Sequence, residues 1–319
     1  MSASTHLPAT GFAMFRVILF SILVALSLPP SASAQLGTKE KPLRVLLIPA
    51  DGGTSDGTRA DFRPLFDGLT RMTGLYFDVK AGQSYAAVVE GMCSGVADIA
   101  WFGPVAFKEA YDRECADLLA VEVTDGSATY YSAIFTNADA GIDSLTDMKG
   151  RSLALGSVHS ASSFAYPLAL LNENGVDPLE DLSDILITGS HSNSLMALET
   201  GLVDSAGASF ISFERAVNAG SITPSRVRIL EKSRPIPNPP LAISPRVDAA
   251  VRARLSTALA TIHETDAVDP KMIRGYGGKI VDRYETDLTA GAILEALSDI
   301  SAIDSDYKSA VLSRDQQTR

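Results

Sequence analysis

Ser84-Tyr85-Ala86-Ala87-Val88-Val89-Glu90-Gly91 and, shortly after it, Ile99-Ala100-Trp101-Phe102-Gly103-Pro104 decide the fold of this chain. The first segment is an amphipathic helix that turns Val88 and Val89 inward and ends near Gly95. A short apolar strand over 97–102 follows, and the Gly103-Pro104 break turns the chain into a further helix. The order is helix, strand, abrupt turn, helix, with an aromatic, Tyr85, at the start of the first helix. In an open parallel sheet, ligands sit beyond the carboxyl ends of the strands, where such turns lie.

The same alternation extends in both directions. Strands are expected at 43–49, 75–81, 117–123 and 130–136, with helices at 59–73 and 106–113. A second series begins at Ser144-Leu145-Thr146-Asp147-Met148-Lys149-Gly150, a short helix stopped by glycine. Strands at 152–156, 184–189, 205–209 and 227–232 then alternate with helices at 164–174, 193–200 and 212–219. Strict alternation predicts an α/β protein with mostly parallel sheets flanked by helices. The proline-rich stretch 235–240 and the returning strand at 241–243 predict a hinged, two-lobe plan with the second lobe inserted into the first. Lobe 1 is assigned residues 35–137 and 241–319, lobe 2 residues 138–240. The chain is expected to cross near 135–142 and 234–241, and the helices after 247 to pack on lobe 1.

Residues 1–34 read as a signal peptide: Arg16 precedes the apolar run 17–28, and Ala32-Ser33-Ala34 offers a small-residue cleavage site. The run is short for a membrane span, and Met14 is an alternative start to Met1. Export leaves a soluble mature chain of about 285 residues, and loss of Arg16 takes the formal charge from −11 to −12. Such acidity argues against nucleic acid, whose binding rests on Lys and Arg neutralising phosphates. It does not exclude a small anion, which backbone N–H groups at a helix start can hold without bulk positive charge. Cys93 and Cys115 each precede a strand. In an oxidising compartment they can form a disulfide closing a loop of about 20 residues, worth roughly 3 kcal/mol; two buried thiols are the alternative. His159, His191 and His263 show no metal-ligand spacing with either cysteine, and neither metal nor cofactor is expected.

Two polar turns carry the candidate chemistry. Ser157-Val158-His159-Ser160-Ala161-Ser162-Ser163 follows a strand and opens a helix, so its hydroxyls and free N–H groups form either an anion site or an ordinary cap. Gly189-Ser190-His191-Ser192-Asn193 repeats the arrangement, with His191 able to donate to a ligand oxygen and to change charge with it. Tyr85 and the pair Tyr130-Tyr131 are either core or pocket. No G-x-S-x-G elbow, Walker motif or G-x-G-x-x-G fingerprint occurs, so the chain is not read as an enzyme.

These residues closely resemble the phosphate/phosphite/phosphonate-binding proteins of bacterial ABC transporters. The family's opening strand ending in proline is matched by Leu47-Ile48-Pro49, its Tyr-Ala-Ala-Val motif by 85–88, and its Asp-Ile-Ala-Trp-Phe-Gly-Pro by 98–104. Its Tyr-x-Ser-x-Ile strand is matched by 130–134, its Leu-x-Asp-x-Lys-Gly segment by 145–150 and its Gly-Ser-His turn by 189–191. The resemblance implies a type II-like periplasmic binding protein fold and a tetrahedral head group held by Tyr85, Tyr130, Ser160, Ser162, Ser163 and His191. Two departures stand out. The family's Ser-Thr-Ser-Gly turn reads Ser160-Ala161-Ser162-Ser163 here. The carboxylates that meet an aminophosphonate's ammonium group are also missing around Phe210-Ile211-Ser212, with Glu214 the nearest substitute.

The resulting expectation is a periplasmic, monomeric solute-binding protein. It would take a phosphorus oxyanion without an amine (phosphite, phosphate or a simple phosphonate) and deliver it to an ABC permease of the inner membrane. The same fold with another small organic solute, or with a sensory role, is the alternative, and a hydrolase built on Ser160 and His191 is a third.

Overall fold

Alternating apolar runs settle into two sheets rather than one. The computed structural model describes residues 36–49 and 55–318, so the expected leader and start lie outside the described residues. The chain opens with β1 (Leu43–Leu47), α1 (Ser55–Thr73), β2 (Phe77–Ala81), α2 (Tyr85–Cys93), β3 (Ile99–Trp101), α3 (Pro104–Asp112) and β4 (Asp117–Val123). β1 pairs in parallel with both β2 and β3, the pairing that helical crossovers impose. Its buried residues Leu43, Val45 and Leu47 centre the first core.

A two-residue strand, β5 (Thr129–Tyr130), leads into the second lobe. There the order is β6 (Ser132–Asn137), β7 (Ser152–Leu155), α4 (Tyr166–Glu173), β8 (Asp184–Ile187), α5 (His191–Glu199), β9 (Ser205–Ser209), α6 (Phe210–Asn218) and β10 (Val227–Lys232). The chain returns through β11 (Ile236–Pro237) to β12 (Pro240–Ile243), α7 (Ala249–Thr261), β13 (Arg283–Glu285), α8 (Ala290–Ala296) and α9 (Ser305–Thr318). The sheet orders are β13-β4-β12-β3-β1-β2 and β10-β6-β9-β7-β8.

Each sheet takes in one strand that arrives from the other lobe and runs in reverse. β12 lies antiparallel between β3 and β4, and β6 lies antiparallel between β9 and β10. The segments that carry the chain across pair with each other: β5 and β11 form an antiparallel ribbon, Tyr130 opposite Ile236 and Thr129 opposite Pro237. Two adjacent strands of this kind bend together, which suits a hinge.

Three details differ from the sequence reading. The expected strand 130–136 is split between β5 and β6, and all of β6 lies in the second sheet. The first crossing therefore falls at 129–131 rather than 135–142, because unbroken apolar alternation carries no mark of which sheet a strand joins. The C-terminal helices also do not all pack on lobe 1. α7 does, against α1, β4 and β13, whereas α9 covers β8, the edge of the second sheet. Asp315 accepts the Ile187 N–H at 2.9 Å, and Arg314 donates to the carbonyls of Pro178, Leu179 and Leu182. This blunts an open edge, and α9 ties the end of the chain to the second lobe.

Cys93, at the end of α2, is disulfide-bonded to Cys115, with Cα atoms 4.7 Å apart and a sequence separation of 22. Replacing both by serine is expected to lower the unfolding free energy by about 2–4 kcal/mol. Urea unfolding with and without reductant checks this: reductant should bring the parent protein to the variant's stability and leave the variant unchanged.

Candidate functional site

Several helices begin at one place between the lobes. α2 starts at Tyr85 behind its cap Ser84, whose side chain accepts the Ala87 N–H. α3 starts at Pro104, and Gly103 supplies no side-chain cap. In the second lobe, Ser160 caps a widened π-helical turn (Ala161–Ala165) that continues directly into α4, its side chain accepting the Ser163 N–H at 3.1 Å. α5 starts at His191 behind Ser190, whose hydroxyl accepts the Asn193 N–H. Each of these helix starts contributes to the lining of one small cavity. A helix start carries unpaired N–H groups and the positive end of the helix dipole, so four of them raise the local potential without a charged side chain.

The cavity is lined by Tyr85, Gly103, Ser160, Ala161, Ser162 and His191 together with Ile48, Tyr130, Pro239 and Tyr276. None of these described residues is charged. The lobes are closed on a space of ≈ 10 Å³, about the room a single water needs, so a tetrahedral oxyanion fits only with the lobes further apart than they are here.

Within it, Tyr130 Oη donates to Ser162 Oγ at 3.0 Å, and Ser132 Oγ donates to the Ser162 carbonyl at 2.5 Å. The first bond leaves Ser162's own proton to donate onward. His191 Nδ1 accepts the Ser209 N–H at 3.1 Å, which fixes a neutral ring with its proton on Nε2. Complete burial lowers the His191 pKa to about 3. With no ligand bound, the ring is therefore a neutral donor at Nε2.

Of the expected site residues, Tyr85, Tyr130, Ser160, Ser162 and His191 come together. Ser163 does not line the cavity. Its hydroxyl is turned against β7's end, where a Cβ on Gly156 would meet it at 2.1 Å, while its N–H is consumed by the Ser160 cap. Tyr131 lies under Lys232, whose Nζ is 3.4 Å from the ring centroid. Glu214 pairs with Lys279 at 3.1 Å and does not supply the substitute carboxylate.

The sequence reading missed Tyr276. Its Oη lies 2.7 Å from Ser209 Oγ, 3.0 Å from Ser212 Oγ and 3.2 Å from His191 Nε2, and its ring meets Tyr130 edge-on at 5.4 Å. Its N–H donates to Glu122 Oε1 at 3.0 Å. The available signal was Gly275-Tyr276-Gly277-Gly278, a turn composition around a single aromatic.

Glu122 is fully buried, which pushes its carboxyl up to about 8; the Tyr276 N–H and the nearby Trp101 indole draw it only part of the way back. Neither Oε2 nor Trp101 Nε1 completes a well-formed hydrogen bond. The carboxyl is therefore largely protonated at neutral pH.

A second contact joins the lobes outside the cavity. Glu109 of α3 meets His159 Nδ1 of the second lobe and Lys308 of α9, both at 2.6 Å. Burial opposes ionisation of Glu109, but hydrogen bonds and charge from His159 and Lys308 hold its carboxyl below the usual range.

A more open groove of ≈ 700 Å³ lies elsewhere, along α1 and β2. Its arginines are already engaged: Arg59 with Asp56 at 2.6 Å, Arg63 with Asp67 at 3.7 Å, and Arg71 with the Ala267 carbonyl. Size alone does not make it the better site, since the groove offers no convergence of uncommitted donors.

A family model described as "ABC transporter, phosphonate, periplasmic substrate-binding protein" matches residues 53–285. The "Phosphate-import protein PhnD" of Mycolicibacterium smegmatis is 30% identical over 225 residues, 67% of this chain and 69% of that protein. In fold, the chain is similar to a binding protein component of an ABC phosphonate transporter from Pseudomonas aeruginosa. That match has a TM-score of 0.70 and 22% identity, covering 86% of this chain and 95% of the other. It is also similar to PhnD1 from Prochlorococcus marinus in complex with methylphosphonate, with a TM-score of 0.66 and 16% identity over 80% and 96% of the two chains.

The buried groups predict opposite pH effects on stability. Glu122 binds its proton more tightly folded than unfolded, so its contribution is present below about pH 4.5 and is lost as pH rises toward 8. His191 protonates more readily unfolded, so its contribution is present above about pH 6.5 and is lost as pH falls toward 3. Melting temperature measured from pH 4 to 9 should show Glu122→Gln removing most of the alkaline fall and leaving the acid limb in place.

Proposed function

The chain belongs to the periplasmic substrate-binding proteins of phosphonate ABC transporters, and from that premise we propose that it binds a phosphorus oxyanion: phosphite, phosphate or a simple phosphonate. Members of this family are the solute-binding components of importers rather than enzymes. The observation that carries the ligand reading is the cavity itself, where four helix starts, two serine hydroxyls, tyrosines and a neutral imidazole converge with no charged side chain.

Anion oxygens would accept from the first-turn N–H groups, from Ser160 and Ser162, from Tyr85 and from His191 Nε2, whose proton points at Tyr276 Oη, 3.2 Å away, while the site holds no ligand. Charge-assisted hydrogen bonds contribute about 1.5–3 kcal/mol each. Three or four of them, offset by the cost of association, are enough for micromolar binding or better. The absence of a carboxylate from the described lining favours ligands without an ammonium group.

Function then follows from the hinge. We assign residues 36–128 and 238–296 to the first lobe and residues 131–235, with α9, to the second, joined by the β5–β11 ribbon. Helix starts from both lobes face one cavity, so an anion bridging them stabilises the closed form over the open one. The closed, loaded protein would be what an ABC permease recognises. Export by the leader at 1–34 and a monomeric state complete the reading.

Calorimetric titration of residues 35–319, refolded to strip ligand, against phosphite, phosphate, methylphosphonate and sulfate tests it. One phosphorus oxyanion should bind at micromolar affinity or better. Ser162→Ala should weaken it about tenfold, the loss of roughly one hydrogen bond. Absence of binding to every phosphorus compound, with tight binding of another solute, would overturn the reading.

A further inference from the structure

Pro167 decides the shape of the turn that carries Ser160 and Ser162. In a regular α-helix each carbonyl accepts the N–H four residues further on. Here the spacing is five: the Ser160 carbonyl accepts the Ala165 N–H at 3.2 Å, and the Ala161 carbonyl accepts the Tyr166 N–H. The next donor in that series would be residue 167, and proline has no N–H. The same proline deprives the Ser163 carbonyl of its α-helical partner. Ser162 and Ser163 are both buried, and a buried carbonyl without a donor is costly. Their partners must therefore come from outside the helix.

Two neighbouring segments supply them. Gly156, just past β7, donates its N–H to the Ser163 carbonyl at 2.9 Å. Ser132, the first residue of β6, donates its hydroxyl to the Ser162 carbonyl at 2.5 Å, with the Ala208 carbonyl of β9 a longer second acceptor at 3.3 Å. Ser132 is completely buried, and its backbone is fixed as firmly as its hydroxyl. Its N–H donates to Ser233 Oγ at 2.9 Å, and its carbonyl accepts the Ser233 N–H at 2.9 Å. Ser132 stands where the chain enters β6, and Ser233 where it leaves β10. The two crossings thus meet at a bonded pair of serines, and one of that pair holds the turn. All of these contacts lie within the second lobe, so none of them requires the lobes to be closed.

We propose that Ser132 is a positioning residue of the binding site, its hydroxyl holding the widened turn so that Ser162 Oγ is presented to the ligand. Ser132 is not among the residues that line the cavity, and it acts through Ser162 alone. The proposal rests on the phosphorus-oxyanion reading above and deepens it by naming what fixes one of its donors. With alanine at position 132 the Ser162 carbonyl loses its hydroxyl donor, Pro167 offers no replacement, and the turn must shift to find one.

The test is a double-mutant cycle on ligand affinity. The parent protein is titrated with phosphite, phosphate and methylphosphonate, and the tightest of the three is carried through Ser132→Ala, Ser132→Thr, Ser162→Ala and the double alanine variant. Ser132→Ala should weaken binding about tenfold. Ser132→Thr keeps the hydroxyl and should stay within about threefold of the parent, by the same arithmetic. In the Ser162→Ala background, Ser132→Ala should cost no more than about threefold further, because the group it positions is gone. Equal losses in both backgrounds, or a loss with threonine as large as with alanine, mark a serine that serves packing alone and overturn the proposal. Where Ser132→Ala fails to fold, a crystal structure of the loaded parent decides. Ser132 Oγ on the Ser162 carbonyl and Ser162 Oγ on the anion support the proposal, and loss of either contact overturns it. Failure of the parent protein to bind any phosphorus oxyanion overturns the functional reading itself; binding that Ser132→Ala leaves unchanged overturns only the role of Ser132.

Discussion

Unpaired N–H groups at helix starts are the constraint on which the rest of this structure depends. A helix cannot satisfy its first-turn donors internally, so they must meet caps, water or a ligand. This chain caps some of them with Ser84, Ser160 and Ser190 and aims the helix starts into one closed cavity. The site thereby acquires a positive potential in a protein of formal charge −11. Charged side chains would cost desolvation free energy on closure, whereas fixed backbone dipoles need little reorganisation. That explains how an acidic chain can hold an anion in a buried, uncharged space.

The two-sheet plan follows from the need to close such a site and open it again. Reversed strands β6 and β12 each arrive from the opposite lobe, which places both crossings side by side in the β5–β11 ribbon. Tyr130 sits on that ribbon and reaches Ser162 in the second lobe, so the joint and the cavity share a residue. Tyr276 bridges the lobes from one side of the cavity, and the Glu109–His159–Lys308 cluster bridges them elsewhere. Closure is thus held by polar contacts together with an apolar core that runs on from the first lobe into the second.

Much of this was legible in the sequence, for a physical reason. Helix starts and strand ends have local signatures, so Tyr85, Ser160, Ser162 and His191 were readable from their places at polar turns between periodic segments. The returning strand at 241–243 was readable as well, and it is β12. What remained hidden depends on contacts distant in sequence. The placement of β6 in the second sheet and of α9 on β8 is set by pairing partners that periodicity does not encode. Tyr276 was missed because its role comes from residues 64 to 154 positions away. Ser163 was overread for the complementary reason: four hydroxyls in one turn look equivalent until the widened helical turn points one of them at Gly156.

The most direct test of this account is a crystal structure of residues 35–319 with phosphite. The account predicts a single anion between the lobes. Its oxygens should lie within about 3 Å of the helix-start N–H groups, the Ser160 and Ser162 hydroxyls and His191 Nε2, with no lysine or arginine in contact. An anion held instead by guanidinium groups, as in the groove of Arg59, Arg63 and Arg71, with the cavity between the lobes vacant, would contradict it.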